Sequence, residues 1–185
     1  MIADVLGDTE SRMQKAIEAL RRDLGSIRTG RASPSLVERV TVDYYGTPTP
    51  INQMAGVSVP EARLLVIQPW DRGTIPAIEK AIQKSELGLN PNNDGQVIRI
   101  AIPALTEERR KQLVKVVHQH VEEGKVAVRN IRRDAIGSVR ELTNERMISE
   151  DDERRGTAQI EELTKKRVDE IDRIGKNKEQ EVMEV

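Results

Sequence analysis

The sequence predicts an α+β chain, a long three-helix bundle with a small β/α/β domain inserted after the first helix. Three observations carry this. Apolar residues recur at helical spacing over three long stretches, near 2–28, 106–145 and 149–182. Between the first and second, at about 31–104, the period changes to strand-like alternation broken by Pro and Gly. Aromatic residues make up 2% of the 185, namely Tyr44, Tyr45 and Trp70 with no Phe. A sheet-rich core of this size normally uses more large rings, whereas a helical chain rich in Ala, Leu, Ile, Val, Glu, Arg and Lys does without them.

In the first stretch, Ile2, Val5, Leu6, Met13, Ala16, Ile17, Leu20, Leu24 and Ile27 form one stripe, and Gly30 is the expected stop. GRASPSL at 30–36 forms turns. Val40, Val42 and Tyr44 then alternate with Thr41, Asp43 and Tyr45 as in a strand. GTPTP at 46–50 is excluded from a helix interior by its prolines. Further strands are expected at 55–59, 63–68 and 97–102, with a helix at 75–85 carrying Ile75, Ile78 and Ile82, and a loop with an Asp-Gly turn at 88–95. Trp70 and the two tyrosines are expected in the core or at the edge of this insert.

Thr106 with Glu107 and Glu108 gives an N-cap and an acidic first turn. The stripe that follows is Leu113, Val117, Val121, Gly124, Val128, Ile131, Ala135, Val139 and Leu142. Ser149 followed by Glu150, Asp151 and Asp152 resembles a capping box with Asp in the usual Glu place. The last stripe, Ile160, Leu163, Val168, Ile171, Ile174 and Val182, is the least regular. The first helix is too sparse to stand alone, so residues 1–29 and 106–185 are expected to bundle, with 31–104 as a separate domain. Two short linkers, Thr29–Gly30–Arg31 and Ala104–Leu105–Thr106, make a hinge.

Thirty Lys and Arg stand against 31 Asp and Glu, for a net charge of −1, which excludes a globally basic nucleic-acid binder but not a local basic face. The absence of Cys excludes disulfides, thiolate metal sites and Cys nucleophiles. No apolar run approaches the ~20 residues of a membrane span, and the N-terminus has no signal-peptide pattern, so a cytoplasmic protein is the expectation. His118 and His120, two apart on a helix, face different ways and cannot clamp a metal. No phosphate-binding loop, dinucleotide fingerprint or hydrolase motif is present, and an enzyme is not expected.

The most informative local feature lies between Arg109 and Arg133. Arg109, Arg110, Lys111, Lys115, Lys125, Arg129, Arg132 and Arg133 face only Glu122 and Glu123, a local charge of 8 − 2 = +6. Lys125, Arg129 and Arg132 share one helix face, with Arg133 adjacent. Such a row suits phosphate oxygens. It reads equally as a solvated face salt-bridged to the acidic third helix. The scarcity of aromatics disfavours a reader of unpaired bases and leaves backbone binding to folded RNA.

Seven ordered segments span the chain: SIRTGRASPSL (26–36), YYGTPTP (44–50), EKAI (79–82), LGLNP (87–91), LTEERRK (105–111), VRNIRRDA (128–135) and ISEDD (148–152). Each alone is weak; together and in register they closely resemble the bacterial ribosome recycling factor family. Departures are Asp71-Arg72-Gly73, where Ser is expected after Arg, and the variable final turn. The immediate start of the first helix resembles the bacterial form rather than an imported organellar one.

The resemblance implies an L-shaped pairing of bundle and β/α/β domain across a two-strand hinge. It implies binding to the post-termination bacterial ribosome, chiefly to large-subunit rRNA. Subunit splitting with elongation factor G and GTP would then release mRNA and deacylated tRNA. The nucleotide is the partner's, so no cofactor is implied, and a monomer is expected. Carried over by position, the rRNA contacts fall on Arg132 first, then Arg129 and Arg133, then Arg28, Arg31 and Arg110. A helical protein-binding adaptor and a hydrolase with an unrecognised site are the competing classes.

Overall fold

The computed structural model describes residues 1–85 and 87–184. The chain divides into two compact units, Met1–Arg28 with Thr106–Val185, and Thr29–Leu105. It therefore crosses between them at 28/29 and at 105/106.

The first unit is three helices: α1 (Ile2–Gly25), α3 (Glu107–Asn144) and α4 (Glu150–Met183), with α2 belonging to the other unit. At a rise of 1.5 Å per residue, the 38 residues of α3 run for about 57 Å. No helix of the described residues is long and apolar enough to cross a membrane. Each helix turns an apolar stripe inward. Met13, Ile17, Leu20 and Leu24 of α1 are buried with Leu113, Val117, Val128, Ile131 and Val139 of α3 and with Ile160, Ile171 and Val182 of α4. The N-termini are capped as the sequence predicts. Thr106 Oγ1 accepts from the Arg109 amide at 3.1 Å. Ser149 and Asp152 form a reciprocal capping box, the Ser149 hydroxyl accepting from the Asp152 amide at 3.1 Å and the Asp152 carboxylate from the Ser149 amide at 3.3 Å. Hydrogen bonding to the carboxylate from the Ser149 side chain, and then from the Ser149 amide, holds the Asp152 carboxyl below its ordinary range.

Two features of the bundle differ from the sequence expectation. Helix α1 ends at Gly25, not near 28. Gly25 and Ser26 are weak helix formers. The Ser26 hydroxyl donates to the Asp23 carbonyl at 2.7 Å, and the Ile27 amide closes on Leu24, which tightens and ends the last turn. Gly30 is instead a left-handed residue, φ +75°, of the second unit. A Cβ there would lie 3.3 Å from Leu105 Cγ, so the incoming and outgoing chain run side by side.

The second difference is on α4, whose buried line is Gly156, Ile160, Thr164, Ile171, Gly175 and Val182. Leu163, Val168 and Ile174 sit only half-buried beside it. Glycine and threonine are invisible to a hydrophobicity stripe. Here the glycines admit neighbouring helices, and the Thr164 hydroxyl is satisfied by the Ile160 carbonyl at 2.7 Å.

The second unit holds β1 (Thr41–Tyr44), β2 (Thr47–Pro50), β3 (Ala55–Glu61), β4 (Leu64–Pro69), α2 (Ile75–Lys84), β5 (Pro91–Asn93) and β6 (Ile98–Ala101). Strands β1 and β2 form a hairpin; the others form an antiparallel sheet in the order β3-β4-β6-β5. Its core joins Val42, Ile51, Leu65, Ile67, Ile98 and Ile100 to Ile75, Ile78 and Ile82 of α2. Strand β2 was not evident in the sequence because Pro48 and Pro50 argue against a strand, yet its outer edge is unpaired and loses nothing by a missing N–H. Strand β5 lies inside the expected 88–95 loop and, at three residues, is too short to alternate visibly.

The rings also depart from expectation. Tyr44 packs against the core, but Tyr45 is 83% and Trp70 72% exposed. Tyr45 occupies the hairpin turn with φ +50°, and Trp70 falls where β4 has ended and Asp71 caps the next turn.

The Asp-Gly turn is present. Asp94 Oδ1 accepts from the amides of Gln96 and Val97, both at 2.9 Å, and Oδ2 accepts from Arg99 Nη1 at 2.8 Å. The two backbone amides, followed by Arg99, hold the Asp94 carboxyl far below the usual carboxylate range. A folded-state value depressed in this way stabilises above the unfolded value near 3.9, and the contribution is lost as pH falls below it. Asp94→Asn should therefore be less stable than wild type at pH 7, with the gap closing as pH drops below about 4. Denaturant unfolding across that range measures it.

Bundle glycines give a second expectation, because substitution by Ala in a helix gains about 1 kcal/mol of propensity where space allows. At Gly137 an added Cβ meets nothing within 4 Å, and at Gly124 its nearest neighbour is Leu20 Cδ2 at 3.5 Å. At Gly175 it would stand 2.5 Å from Val121 Cγ2, on a β-branched side chain with one favoured rotamer. Overpacking costs about 1–3 kcal/mol, which outweighs the gain. Gly137→Ala and Gly124→Ala should raise the melting temperature and Gly175→Ala lower it, with Val121→Ala recovering part of the loss.

Candidate nucleic-acid interface

The cations of α3 sort by what the neighbouring helices offer them. Near the start of the helix, Arg109 Nη1 donates to Gln112 at 3.2 Å and Lys111 pairs with Glu107 at 3.2 Å. Arg110 is half-buried, and its Nε is enclosed without a hydrogen-bond partner.

Two turns apart further along, two cations cross to α4. Lys125 Nζ pairs with Asp172. Arg132 presents the side of its fork to Glu161, Nε donating to Oε2 at 2.9 Å and Nη2 to Oε1 at 2.7 Å. This bidentate geometry fixes the guanidinium plane. The hydrogen bonds from Glu161, and then its charge, raise the Arg132 pKa further, so the group is always cationic. Its Nη1 is left outside the pair.

Arg129 reaches back two turns along its own helix to Glu122, at 3.3 Å and with a single contact. Among the described residues Arg133 has no ion-pair or hydrogen-bond partner, and it is exposed. The sequence offered a phosphate-binding row and a face salt-bridged to the third helix as equal readings. The structure divides the row: Lys125 and Arg132 are compensated by α4, Arg129 by its own helix, and Arg133 by none of the described residues.

Of the remaining predicted residues, Arg28 is exposed at the end of the first unit and has no ion-pair partner among the described residues. Arg31 belongs to the second unit and is exposed. Thr29, Gly30, Ala104 and Leu105 also belong to the second unit, while Thr106 begins α3 as its cap. The α4 carboxylates Glu161 and Asp172 were not identified from sequence. The register of two antiparallel helices, which decides that residues 29 apart meet, leaves no local signal.

The histidines separate as their spacing requires. His118 Nε2 lies 3.2 Å from Glu179 of α4, and His120 Nδ1 lies 3.9 Å from Asp23 and 3.5 Å from Glu123. Among the described residues no group of three or more His, Cys, Asp or Glu could hold a metal ion. An open groove of about 710 Å³ between α1 and α4 is lined by Arg21, Leu24, Arg167, Ile174 and Lys178. Its cations pair with Glu170 and Glu181.

Residues 20–183 match the family model described as ribosome recycling factor. The ribosome-recycling factor of Thermomicrobium roseum is 58% identical over 185 residues, covering the whole of both chains. That of Syntrophomonas wolfei is 59% identical with the same coverage. Among solved structures, a solution structure of the ribosome recycling factor matches with a TM-score of 0.75 at 45% identity, over 100% of this chain and 98% of that one. A second, comprising models for the T. thermophilus ribosome recycling factor and the E. coli elongation factor G bound to the E. coli post-termination complex, matches with a TM-score of 0.64 at 46% identity over the whole of both chains. With a family model covering 20–183 and full-length relatives near 58% identity, the chain belongs to the ribosome recycling factor family.

Proposed function

We propose that this protein acts after translation termination, binding the post-termination ribosome through large-subunit rRNA. With elongation factor G and GTP it splits the subunits and frees mRNA and deacylated tRNA. The observation that carries the reading is the full-length family match, and a related factor has been placed with elongation factor G on a post-termination complex. The protein works as a monomer in the cytoplasm and holds no cofactor of its own. GTP is hydrolysed by the partner, and this chain contributes binding and displacement rather than bond chemistry.

In this reading the bundle contacts rRNA phosphates. Arg133 is the readiest donor, being exposed and uncompensated. Arg129 follows, since its single contact to Glu122 is easily exchanged. Arg132 offers Nη1 while its fork rests on Glu161. Arg28, Arg31 and Arg110 extend the set towards the crossings at 28/29 and 105/106. Phosphate contacts of this kind orient the protein without reading sequence. The segments Thr29–Arg31 and Ala104–Thr106, which adjoin those crossings, act as a hinge that lets the second unit turn when elongation factor G loads it.

The direct test is light scattering of post-termination ribosomes. Subunit splitting should require this protein, elongation factor G and GTP together, and splitting that proceeds with any one omitted would contradict the reading. A covalent cross-link between the two units should leave ribosome binding intact and abolish splitting, which pelleting and light scattering separate. For the interface, Arg133→Ala, Arg129→Ala and Arg132→Ala should each weaken binding to large subunits and flatten the dependence of log affinity on log salt by about one. Each should shift folding stability by no more than about 0.5–1 kcal/mol, as expected of exposed side chains and surface ion pairs. A variant that loses stability but keeps its affinity would remove that residue from the interface.

A further inference from the structure

We propose that Glu161 is a built-in competitor for phosphate, occupying the Arg132 fork in the free protein and lowering its affinity for RNA. The inference rests on the reading of Arg132 as an rRNA contact. A carboxylate and a phosphate offer a guanidinium the same thing, two coplanar anionic oxygens for two parallel N–H donors. Glu161 takes both donors of one edge, Nε at 2.9 Å and Nη2 at 2.7 Å. The two side chains are 39% and 46% exposed, so an incoming phosphate can reach the pair.

A phosphate at Arg132 then meets one of two costs. It displaces Glu161 from the fork, or it settles on Nη1 with the carboxylate a few ångströms away. Either way Glu161 opposes it, by occupying the donors or by like charge. The second cross-helix pair, Lys125 with Asp172, repeats the arrangement on the same seam. By contrast Arg133, on the same helix, has no such counter-charge among the described residues. The interface is thus built with attraction at Arg133 and restraint at Arg132. That combination penalises any RNA unable to engage both, which is selection by a repulsive element.

The alternative role for Glu161 is to position Arg132, pre-organising it for phosphate. The two roles predict opposite signs. Wild type, Glu161→Gln, Glu161→Asp, Arg132→Ala and the Arg132→Ala/Glu161→Gln double variant are compared across a salt series. The probes are purified bacterial large ribosomal subunits and a short RNA duplex of unrelated sequence. Competition predicts that Glu161→Gln binds both probes roughly three- to fivefold more tightly at low salt, the scale of removing one nearby like charge in water. The log–log salt slope should steepen by up to about one. Glu161→Asp, which keeps the charge, should bind as wild type does, and the gain from Glu161→Gln should shrink in the Arg132→Ala background.

Weaker or unchanged binding by Glu161→Gln overturns the competitor role, as does a gain undiminished without Arg132. Weakening by both Gln and Asp assigns Glu161 to positioning. Arg132→Ala binding as tightly as wild type overturns instead the reading of Arg132 on which the inference stands.

Discussion

The close approach of α3 and α4 at Gly175 is the constraint on which the rest of the bundle depends. Gly175 of α4 faces Val121 of α3 so closely that even a methyl group has no room. Gly124 of α3 faces Leu20 of α1 and Ile171 of α4, and Gly156 of α4 faces Ile2 and Val139. Each glycine sits on the buried line of its helix; at Gly124 and Gly156 a Cβ would only touch its neighbours, whereas at Gly175 it would hold the axes apart. Close axes have two effects. The small aliphatic residues of this chain can fill the interior without aromatic rings. And charged side chains flanking the α3–α4 seam come within reach of one another, so Lys125 meets Asp172 and Arg132 meets Glu161. The pairing of Lys125 and Arg132 with α4 thus follows from how closely α3 and α4 pack.

Much of the bundle was legible because periodicity reports burial directly. Leu113, Val117, Val128, Ile131, Ala135 and Val139 were placed inward by spacing alone, and all are buried. The caps at Thr106 and Ser149 were legible because capping is local chemistry within four residues. Legibility failed where the cause was not local. The inward positions Gly156, Thr164 and Gly175 are set by a neighbouring helix, not by their own hydrophobicity. Gly30 marked a real backbone requirement, but one imposed by Leu105, so the helix it was expected to stop had already ended at Gly25. In the second unit the strands with alternation were found, while β2 and β5 exist only through the partner strand each pairs with.

The site divides along the same line. Which residues carry positive charge is printed in the sequence, and so is their common face. Whether that charge is available is a tertiary fact. Arg132 and Arg133 are adjacent in the chain, yet one is gripped by a bidentate carboxylate and the other is uncompensated among the described residues. No rule about helix periodicity distinguishes them, because the distinguishing group lies on a helix whose register is fixed by packing. The family resemblance singled out these residues as candidates, and the structure shows that their charges are not equally available.

That gradation matters because the strength of phosphate binding scales with the number of cations that release counterions. A face that neutralised one phosphate with every Lys and Arg between 109 and 133 would bind RNA of any sequence tightly at low salt. On the function proposed above, a factor that joins a ribosome and leaves it again is poorly served by such a face. Pairing cations with carboxylates on an adjacent helix lowers the net field while keeping the guanidinium groups in place and correctly oriented. Surface ion pairs are weak enough, about 0–1 kcal/mol each, to be exchanged for phosphate contacts when the rest of the surface fits. The overall charge of −1 beside a local +6 is consistent with that balance. Acidic residues of α4 and the acidic first turns of α3 and α4 offset the basic row within the same unit, so that the excess of positive charge is confined to one stretch of α3.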